Sequence, residues 1–245
     1  MQLAQSLLPN RTIVWRDTID STMHEAVRLA NEGAPSGTII GADEQTAGHG
    51  RFSRVWHSER GSGLYFSIIL RLPIETSVMP VVTLALGCAV VEAIQLTAGI
   101  TPDLRWPNDV LINEKKVCGI LTQLHGNAIV SGIGINVNQT TFPPDVQNLA
   151  TSLKLATGQD HNREQLLVTL LDDIDRHCDI LVTQGPSAIF ALYTQHSSYV
   201  TGKHVTLEEG LRGTTSGLTP EGFLNLTLDN GNEHTVISGG IRPTL

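Results

Sequence analysis

Lysine and arginine are scarce in this sequence: 16 residues carry a basic side chain against 24 with a carboxylate, giving a formal net charge of -8 over 245 residues. No segment concentrates the basic residues as a nucleic-acid-binding surface does. We therefore expect no direct contact with nucleic acid. The few cations between His49 and Arg60 stand out against this acidic background, and such a region suits a small anionic ligand better than a polyanion.

A signal for export and a membrane-spanning segment are also missing. No basic stretch followed by an apolar one opens the chain, as a signal peptide would. The longest apolar run, residues 78–98, is interrupted by Pro80, Thr83, Glu92 and Gln95, so it predicts a buried core helix rather than a span. We expect a cytoplasmic protein with no membrane contact.

Cysteine is rare, and its spacing favours reduced thiols. Cys88, Cys118 and Cys178 are far apart in the sequence, and neither a C-x-x-C pair nor a histidine at metal-ligand spacing accompanies them. This pattern is typical of buried free cysteines.

Apolar periodicity predicts a mixture of helices and largely antiparallel strands. Helices are predicted between a cap at Asp20 or Ser21 and a stop at Gly33, and at residues 78–96, 163–182 and 187–195. Strands are predicted at residues 12–15, 37–42 and 64–70, on either side of Pro107, and at 116–121 and 128–138. On this pattern alone, capping explains Ser21 and Thr22 sufficiently.

The segment from residue 199 onwards changes to short alternating runs, with a strong hairpin turn at Asn230-Gly231. It predicts a small all-β barrel of about 48 residues, which is too small to bury a large core alone and therefore leans on the rest of the chain. We divide the chain into a domain at residues 1–197 and a second at residues 198–245.

Residues 41–56 have the composition of an anion-binding loop held between two strands. Gly48 and Gly50 let backbone N–H groups approach a ligand, and Arg51 and Arg54 offer planar sets of donors suited to phosphate or carboxylate oxygens. A Gly/Arg-rich surface loop without a ligand is the alternative that this stretch alone leaves open.

Five motifs, in this order and spacing, resemble those of the bacterial biotin–protein ligases. They are Asp20-Ser21-Thr22-Met23, the loop at residues 48–56, Arg105-Trp106-Pro107-Asn108-Asp109, Lys116-Val117-Cys118-Gly119-Ile120-Leu121 and Gly132-Ile133-Gly134-Ile135-Asn136-Val137. The resemblance spans nearly the whole chain. Family members that double as repressors carry a helix-turn-helix before the catalytic domain, and we expect this chain to begin directly at the catalytic domain.

The resemblance implies an α+β fold, in which helices pack on a mixed, largely antiparallel sheet as in class II synthetases, with a small C-terminal SH3-like β-barrel. It also implies a reaction: biotin attacks the α-phosphate of ATP to give biotinyl-5′-AMP, and a lysine of a biotin carboxyl carrier protein displaces AMP. Mg²⁺ is expected to accompany ATP, without a dedicated protein site. A homodimer through the sheet edge is compatible with the resemblance, and no sequence feature decides between it and a monomer.

The resemblance assigns roles to individual residues. Lys116 is expected at the carboxylate and α-phosphate oxygens, with Arg51 folded over the intermediate, as the two catalytic residues. The biotin site is expected at Ser21, Thr22, Gln45, Gly48, Gly119 and Leu121. The nucleotide site is expected at Arg51, Arg54, Trp56, Lys116 and Asn136, with Asn108 and Asp109 near the nucleotide, the incoming lysine or Mg²⁺.

Four positions depart from the family's pattern: His49 replaces an arginine, Ser53 a glycine, Met23 an asparagine and Arg105 a lysine. A titrating side chain at position 49 replaces a permanent charge, so we expect weaker retention of the intermediate. Arg105 keeps the charge but not the shape of lysine, which could alter the second step.

Two other functions stay open. A lipoate–protein ligase or octanoyltransferase of the same fold would need an apolar tunnel rather than partners for a ureido ring, and Gln45 with Ser21 and Thr22 favours biotin. A non-catalytic biotin- or nucleotide-sensing module would need an output, and the sequence shows no DNA-reading domain to supply one.

Overall fold

The computed structural model describes residues 2–244, and the larger of its two sheets carries most of the chain. The strands of this sheet are β1 (Ile13–Ile19), β2 (Ile39–Gln45), β3 (Leu64–Leu70), β4 (Asp103–Arg105), β5 (Asp109–Ile112), β6 (Lys115–His125) and β7 (Ala128–Ile135). They lie in the order β1-β2-β3-β7-β6-β5-β4. The β1–β2 pair is parallel and the other neighbours are antiparallel, which confirms the predicted mixed sheet.

Helices cover both faces of this sheet. They are α1 (Gln2–Leu7), α2 (Thr22–Asn31), α3 (Met79–Ala98), α4 (Leu153–Thr157), α5 (Arg163–Gln184) and α6 (Pro186–Gln195). Helices α3, α5 and α6 pack together in the main core, whereas α2 packs on the opposite face, over Ile40, Ile69 and Val130. Neither α1 nor α4 was predicted, because one or two turns show too little periodicity.

The long apolar run forms the core helix predicted for it. Helix α3 has Pro80 in its first turn and ends at Gly99, which is left-handed. With the turn before it, Thr76–Ala98 is long and apolar enough to cross a membrane, but 67% of its most apolar window is buried inside the protein. Packing against the sheet and α5 therefore accounts for its composition.

The C-terminal strands form a second, antiparallel sheet in the order β11-β10-β9-β8-β12. They are β8 (Thr201–Leu207), β9 (Arg212–Leu218), β10 (Leu224–Leu228), β11 (Glu233–Val236) and β12 (Ile241–Pro243), in agreement with the expected SH3-like barrel. Its apolar residues Val205 and Leu226 continue the main core, and Trp106 Nε1 donates a hydrogen bond to the Gly222 carbonyl at 2.9 Å. The barrel thus leans on the first sheet, as expected.

Several strand ends differ from the prediction, and two of these differences move site residues. Strand β2 continues to Gln45 because it pairs with β1 as far as Ile19, so Gln45 lies at a strand end and not in the loop. Strand β7 ends at Ile135: the Asn136 N–H still donates to the Val117 carbonyl of β6 at 2.8 Å, but the Asn138 N–H donates to the Ser62 carbonyl at 2.7 Å, outside β3.

Candidate active site

Three glycines leave one patch of the first sheet without side chains, on the face that carries α2. Gly119 of β6 is paired with Gly134 of β7, and Gly132 precedes Gly134 by two residues, so it faces the same side. We call Gly119, Gly132 and Gly134 the glycine floor. The floor allows other groups to approach the strand backbone more closely than any Cβ would permit.

Large side chains lie directly on the glycine floor. A Cβ at Gly134 would be 2.5 Å from Cε2 of Trp56, and the same indole is 3.0 Å from the position of a Cβ on the paired glycine of β6. A Cβ at Gly132 would be 2.9 Å from Sδ of Met23. The floor is therefore divided between an apolar thioether at the α2 end and an indole at the other end.

A chain of hydrogen bonds surrounds the α2 end. The backbone N–H and the hydroxyl of Thr22 donate to Gln45 Oε1 at 2.8 and 3.0 Å, and Gln45 Nε2 donates to Ser58 Oγ at 3.0 Å. Ser67, in the middle of apolar β3, donates to Thr22 Oγ1 at 2.9 Å. These bonds fix the orientation of the Gln45 amide, and they form a neutral polar group at this end of the floor.

The capping explanation of Ser21 and Thr22 is wrong in one respect. Ser21 occupies the cap position of α2, but its side chain makes no capping hydrogen bond. Both residues are almost fully buried, at 1% and 2% exposed. The Thr22 hydroxyl donates to Gln45 and accepts a hydrogen bond from Ser67.

A cation lies at the opposite end of the floor. Lys116 Nζ is 2.5 Å from Asp109 Oδ1, and the Arg105 guanidinium donates to Asp109 Oδ2 at 2.7 Å. The same ammonium lies 5.5 Å from the centroid of the Trp56 ring. Burial disfavours a charged carboxylate here, but the charges and hydrogen bonds of Lys116 and Arg105 outweigh it and lower the pKa of Asp109.

The glycine/arginine loop folds back on itself before it reaches β3. Trp56 N–H donates to the Gly48 carbonyl at 2.9 Å, and Gly50 N–H donates to the Arg54 carbonyl at 2.7 Å. Gly48 is required for this closure, because a Cβ there would be 2.8 Å from the Trp56 carbonyl oxygen. At the tip, Phe52 and its successor are both left-handed, with φ of 55° and 56°.

The two loop arginines reach different parts of the chain. Arg51 donates to Asn108 Oδ1 at 3.2 Å and to the Gly239 carbonyl at 2.8 Å. Arg54 pairs with Glu208 of the second sheet at 2.8 Å. Burial lowers the pKa of Arg51, and the nearby carboxylates of Asp109 and Glu208 oppose that effect. Of the two arginines, Arg51 contacts a predicted site residue and Arg54 does not.

Other predicted site residues are placed at the edges of this cluster. The Asn136 amide donates to the Thr151 carbonyl at 3.0 Å and to the Lys116 carbonyl at 3.5 Å, so it fixes the backbone behind the lysine. Leu121 packs against the apolar residues between α2 and the sheet. The His49 ring lies against the ring of His24 of α2, with 5.3 Å between the ring centroids and 37° between the ring planes.

A cleft of about 540 Å³ opens beside the loop, lined by Gln45, Gly48, Trp56 and Gln139 among others. Two buried polar atoms at its edge, Trp56 Nε1 and Gln139 Oε1, have no hydrogen-bond partner within residues 2–244. A ligand in the cleft could supply both partners.

The described part of the chain offers no metal cluster and no cysteine nucleophile. Residues 2–244 contain no group of three histidine, cysteine or carboxylate side chains that could hold a metal ion. Cys88, Cys118 and Cys178 are free and buried, as predicted, and burial raises the pKa of each thiol. The polar and charged groups gathered at the glycine floor can position a ligand and stabilise negative charge.

A model of the biotin/lipoate A/B protein ligase family matches residues 15–139. The chain belongs to this family. It is 39% identical to the bifunctional ligase/repressor BirA of Bacillus spizizenii over 231 residues, covering 89% of this chain and 70% of that protein. It is 28% identical to the biotin–[acetyl-CoA-carboxylase] ligase of Mycobacterium tuberculosis, covering 90% of this chain and 84% of that one.

Solved structures agree with the family assignment. The biotin protein ligase from Aquifex aeolicus in complex with biotin and ATP superposes with a TM-score of 0.84 at 33% identity, covering 95% of this chain and 99% of that chain. The match covers 95% of this chain, so this biotin/lipoate ligase family member shares its architecture with that structure over almost all of its length.

Several site residues in this ligase family member were not predicted. Ser58, Ser67 and two members of the floor, Gly132 and Gly134, join the predicted residues, and Met23 was noted only as a departure. A signal existed for Ser67 and the glycines, because each interrupts a strand that is otherwise apolar. Ser58 had no such signal, since its contact with Gln45 depends on how the loop closes.

Proposed function

We propose that this protein is an ATP-dependent biotin–protein ligase, which activates biotin as biotinyl-5′-AMP and transfers it to a lysine of a biotin carboxyl carrier protein. One observation carries the proposal: the glycine floor runs between a neutral hydrogen-bonding group at Gln45 and a cation at Lys116. Biotin has the matching polarity, with a neutral ureido ring at one end and a carboxylate at the other.

The α2 end suits the ureido ring. A ureido group has two N–H donors and a strongly accepting oxygen, and hydroxyls with an amide are suitable partners. Ser21, Thr22, Gln45 and Ser58 supply such groups in a buried position. The network is already oriented by its own hydrogen bonds, so little ordering is needed when the ligand binds.

The Lys116 end suits the first chemical step. A carboxylate oxygen of biotin bonds to the α-phosphorus of ATP while the bond from that phosphorus to the bridging oxygen breaks and pyrophosphate leaves. Negative charge develops on the oxygens around phosphorus, and a compact ammonium held at this point stabilises it. Asp109, which is itself held by Arg105, keeps the ammonium in place.

The second step needs only alignment. The neutral amine of the carrier lysine attacks the acyl carbon, the bond to AMP breaks, AMP leaves with the electron pair of its phosphate oxygen, and the proton lost from the amine nitrogen passes to solvent. Asp109 and Asn108 lie beside Lys116 and Arg51, where an incoming amine would be oriented. No enzyme nucleophile takes part, so the rate depends on how long the adenylate is retained and how well the amine is placed.

Trp56, Asn136, Arg51 and Arg54 are proposed to bind the nucleotide. The indole on the floor offers an aromatic face and an unpartnered N–H, and the two guanidiniums approach from the loop. Mg²⁺ would neutralise phosphate charge. Because both oxygens of Asp109 and Oδ1 of Asn108 already face cationic side chains, we propose that the ion is held mainly by ATP.

We also propose that the catalytic domain covers residues 1–197 and the SH3-like domain residues 198–245. The junction is tied to β4, since Ser197 Oγ donates to the Leu104 carbonyl and Ser198 Oγ to Asp103 Oδ2, both at 2.6 Å. A cytoplasmic location follows from the need for ATP and a carrier protein.

A mass assay tests the proposal. The purified chain is incubated with ATP, Mg²⁺, a biotin carrier domain and either biotin or lipoate, and the intact carrier is weighed. We expect a mass gain with biotin that requires ATP and the target lysine. A gain with lipoate instead would overturn the assignment, because the polar group at Gln45 would then face an apolar ligand. Biotin binding without any gain would support a sensor.

A further inference from the structure

The tip of the loop adopts a conformation that it would not choose alone. Phe52 and Ser53 are consecutive non-glycine residues in the left-handed region, which is unfavourable for side chains with a Cβ. The reversal places the guanidiniums of Arg51 and Arg54 over the same Phe52 ring, 5.1 and 6.0 Å from its centroid. Contacts from outside the loop must help to hold this shape.

Those contacts come from the second sheet. Glu208, which follows β8, accepts a hydrogen bond from Arg54 at 2.8 Å, and the carbonyl of Gly239, which precedes β12, accepts one from Arg51 at 2.8 Å. We call the Glu208 carboxylate and the Gly239 carbonyl the barrel clasp. Both loop arginines are thus held by residues more than 150 positions later in the chain.

The two parts of the clasp are adjacent. A Cβ at Gly239 would be 3.8 Å from Glu208 Oε2, and one at Gly240 would be 3.7 Å from Oε1. The carboxylate therefore lies against a turn that has no side chains, and its charge acts on Arg51 as well as on Arg54.

We propose that Glu208 is a positioning residue of the ligase site, which holds the loop closed over Lys116 and the glycine floor through Arg54. Closure by a residue of the barrel slows exchange of ligands through the loop and sets the directions of both guanidiniums. The consequence for adenylate retention rests on the proposed function, whereas closure of the loop does not.

The ion pair is partly exposed, with 61% of the Arg54 side chain and 36% of the Glu208 side chain accessible. A pair of this kind is weak and is screened by salt. We therefore expect a modest effect, about two- to fivefold, that fades as ionic strength rises.

Limited trypsin digestion of the ligand-free protein tests closure directly, because trypsin cleaves after Arg51 and Arg54. We expect Glu208→Gln to be cleaved there about two- to fivefold faster than the unmodified protein at low salt, with the difference lost at about 1 M salt. Glu209→Gln is the matched control, and its cleavage rate should equal that of the unmodified protein. The unfolding midpoints of both variants should also equal that of the unmodified protein. Equal cleavage rates at low salt would overturn the proposal.

Kinetics test the consequence. In Glu208→Gln we expect a higher KM for ATP and about two- to fivefold faster release of biotinyl-5′-AMP, with the KM for biotin unchanged. Glu208→Asp keeps the charge, so its KM for ATP and its release rate should lie between those of Glu208→Gln and those of the unmodified protein. If Glu208→Gln were cleaved faster but the unmodified protein formed no adenylate, the barrel clasp would be supported and the proposed function refuted. Adenylate formation with unchanged cleavage, release and KM for ATP would refute the clasp alone.

Discussion

The ammonium of Lys116 lies 2.5 Å from Asp109 Oδ1, while Asp109 Oδ2 accepts a hydrogen bond from Arg105 at 2.7 Å. One carboxylate therefore orders two cations at the end of the glycine floor. Asp109 therefore holds the Lys116 ammonium in position before any ligand binds. An anionic ligand that bound here would contact the same ammonium as Asp109.

Lys116→Ala should abolish adenylate formation, with a loss of at least about 100-fold, because it removes the ammonium proposed to stabilise the charge that develops on the reacting oxygens. Biotin-dependent exchange between pyrophosphate and ATP measures this step without a carrier. The neighbouring Lys115→Ala removes an exposed charge and should stay close to the unmodified rate. Exchange within a few-fold of normal in Lys116→Ala would contradict the assigned role.

Asp109→Asn should lower stability at neutral pH but not in acid. The pKa of Asp109 is lowered in the folded protein. The Asp109 carboxylate therefore contributes fully to the free energy of unfolding above its unfolded-state pKa of about 3.9, and this contribution is lost as the pH falls through its folded-state pKa. We expect a difference of about 2 kcal/mol at pH 7 that narrows below about pH 4. Thermal unfolding across this range measures it, with Asp17→Asn, whose side chain is 87% exposed, as the control. A constant gap down to pH 3 would argue against the linkage.

Much of the fold could be predicted because the responsible signals are local. The apolar run of α3, the turn at Asn230-Gly231 and the break at Pro107 each specify an element within a few residues of sequence. The order of the seven strands could not be read from periodicity, and the family resemblance implied only a mixed, largely antiparallel sheet packed by helices.

The sequence predicted a set of site residues, whose roles stay predictions, but not the contacts among them. The resemblance pointed to Gln45, Lys116 and Trp56, but not to the contact of Trp56 with Gly134 or to that of Met23 with Gly132. Glu208 had no local signal at all, because its contact with Arg54 depends on how the barrel packs against the loop.

Gly134→Ala should displace the indole of Trp56, since the new Cβ would lie 2.5 Å from the ring, closer than real Cβ contacts allow. We expect a raised KM for ATP and little change in the KM for biotin. Trp56→Ala should produce the same defect, and the double variant should be no worse than either single one, because both changes remove one contact. Additive losses in this cycle would show that the glycine acts on something other than the indole.

Ser53→Gly should make the closed loop more favourable. Ser53 has a φ of 56°, and a residue with a Cβ pays about 1–2 kcal/mol for this left-handed backbone conformation in the closed loop. Glycine avoids this cost, but part of the gain is lost because glycine has more conformational freedom when the loop opens. A net gain of up to about 1 kcal/mol corresponds to at most about fivefold slower release of biotinyl-5′-AMP. Release can be followed by trapping the free adenylate, and trypsin cleavage after Arg54 should slow in parallel. Ser53→Ala keeps the Cβ while removing the hydroxyl, so it should behave like the unmodified protein. If the alanine variant slowed release as much as the glycine variant, the hydroxyl and not the backbone conformation would be responsible.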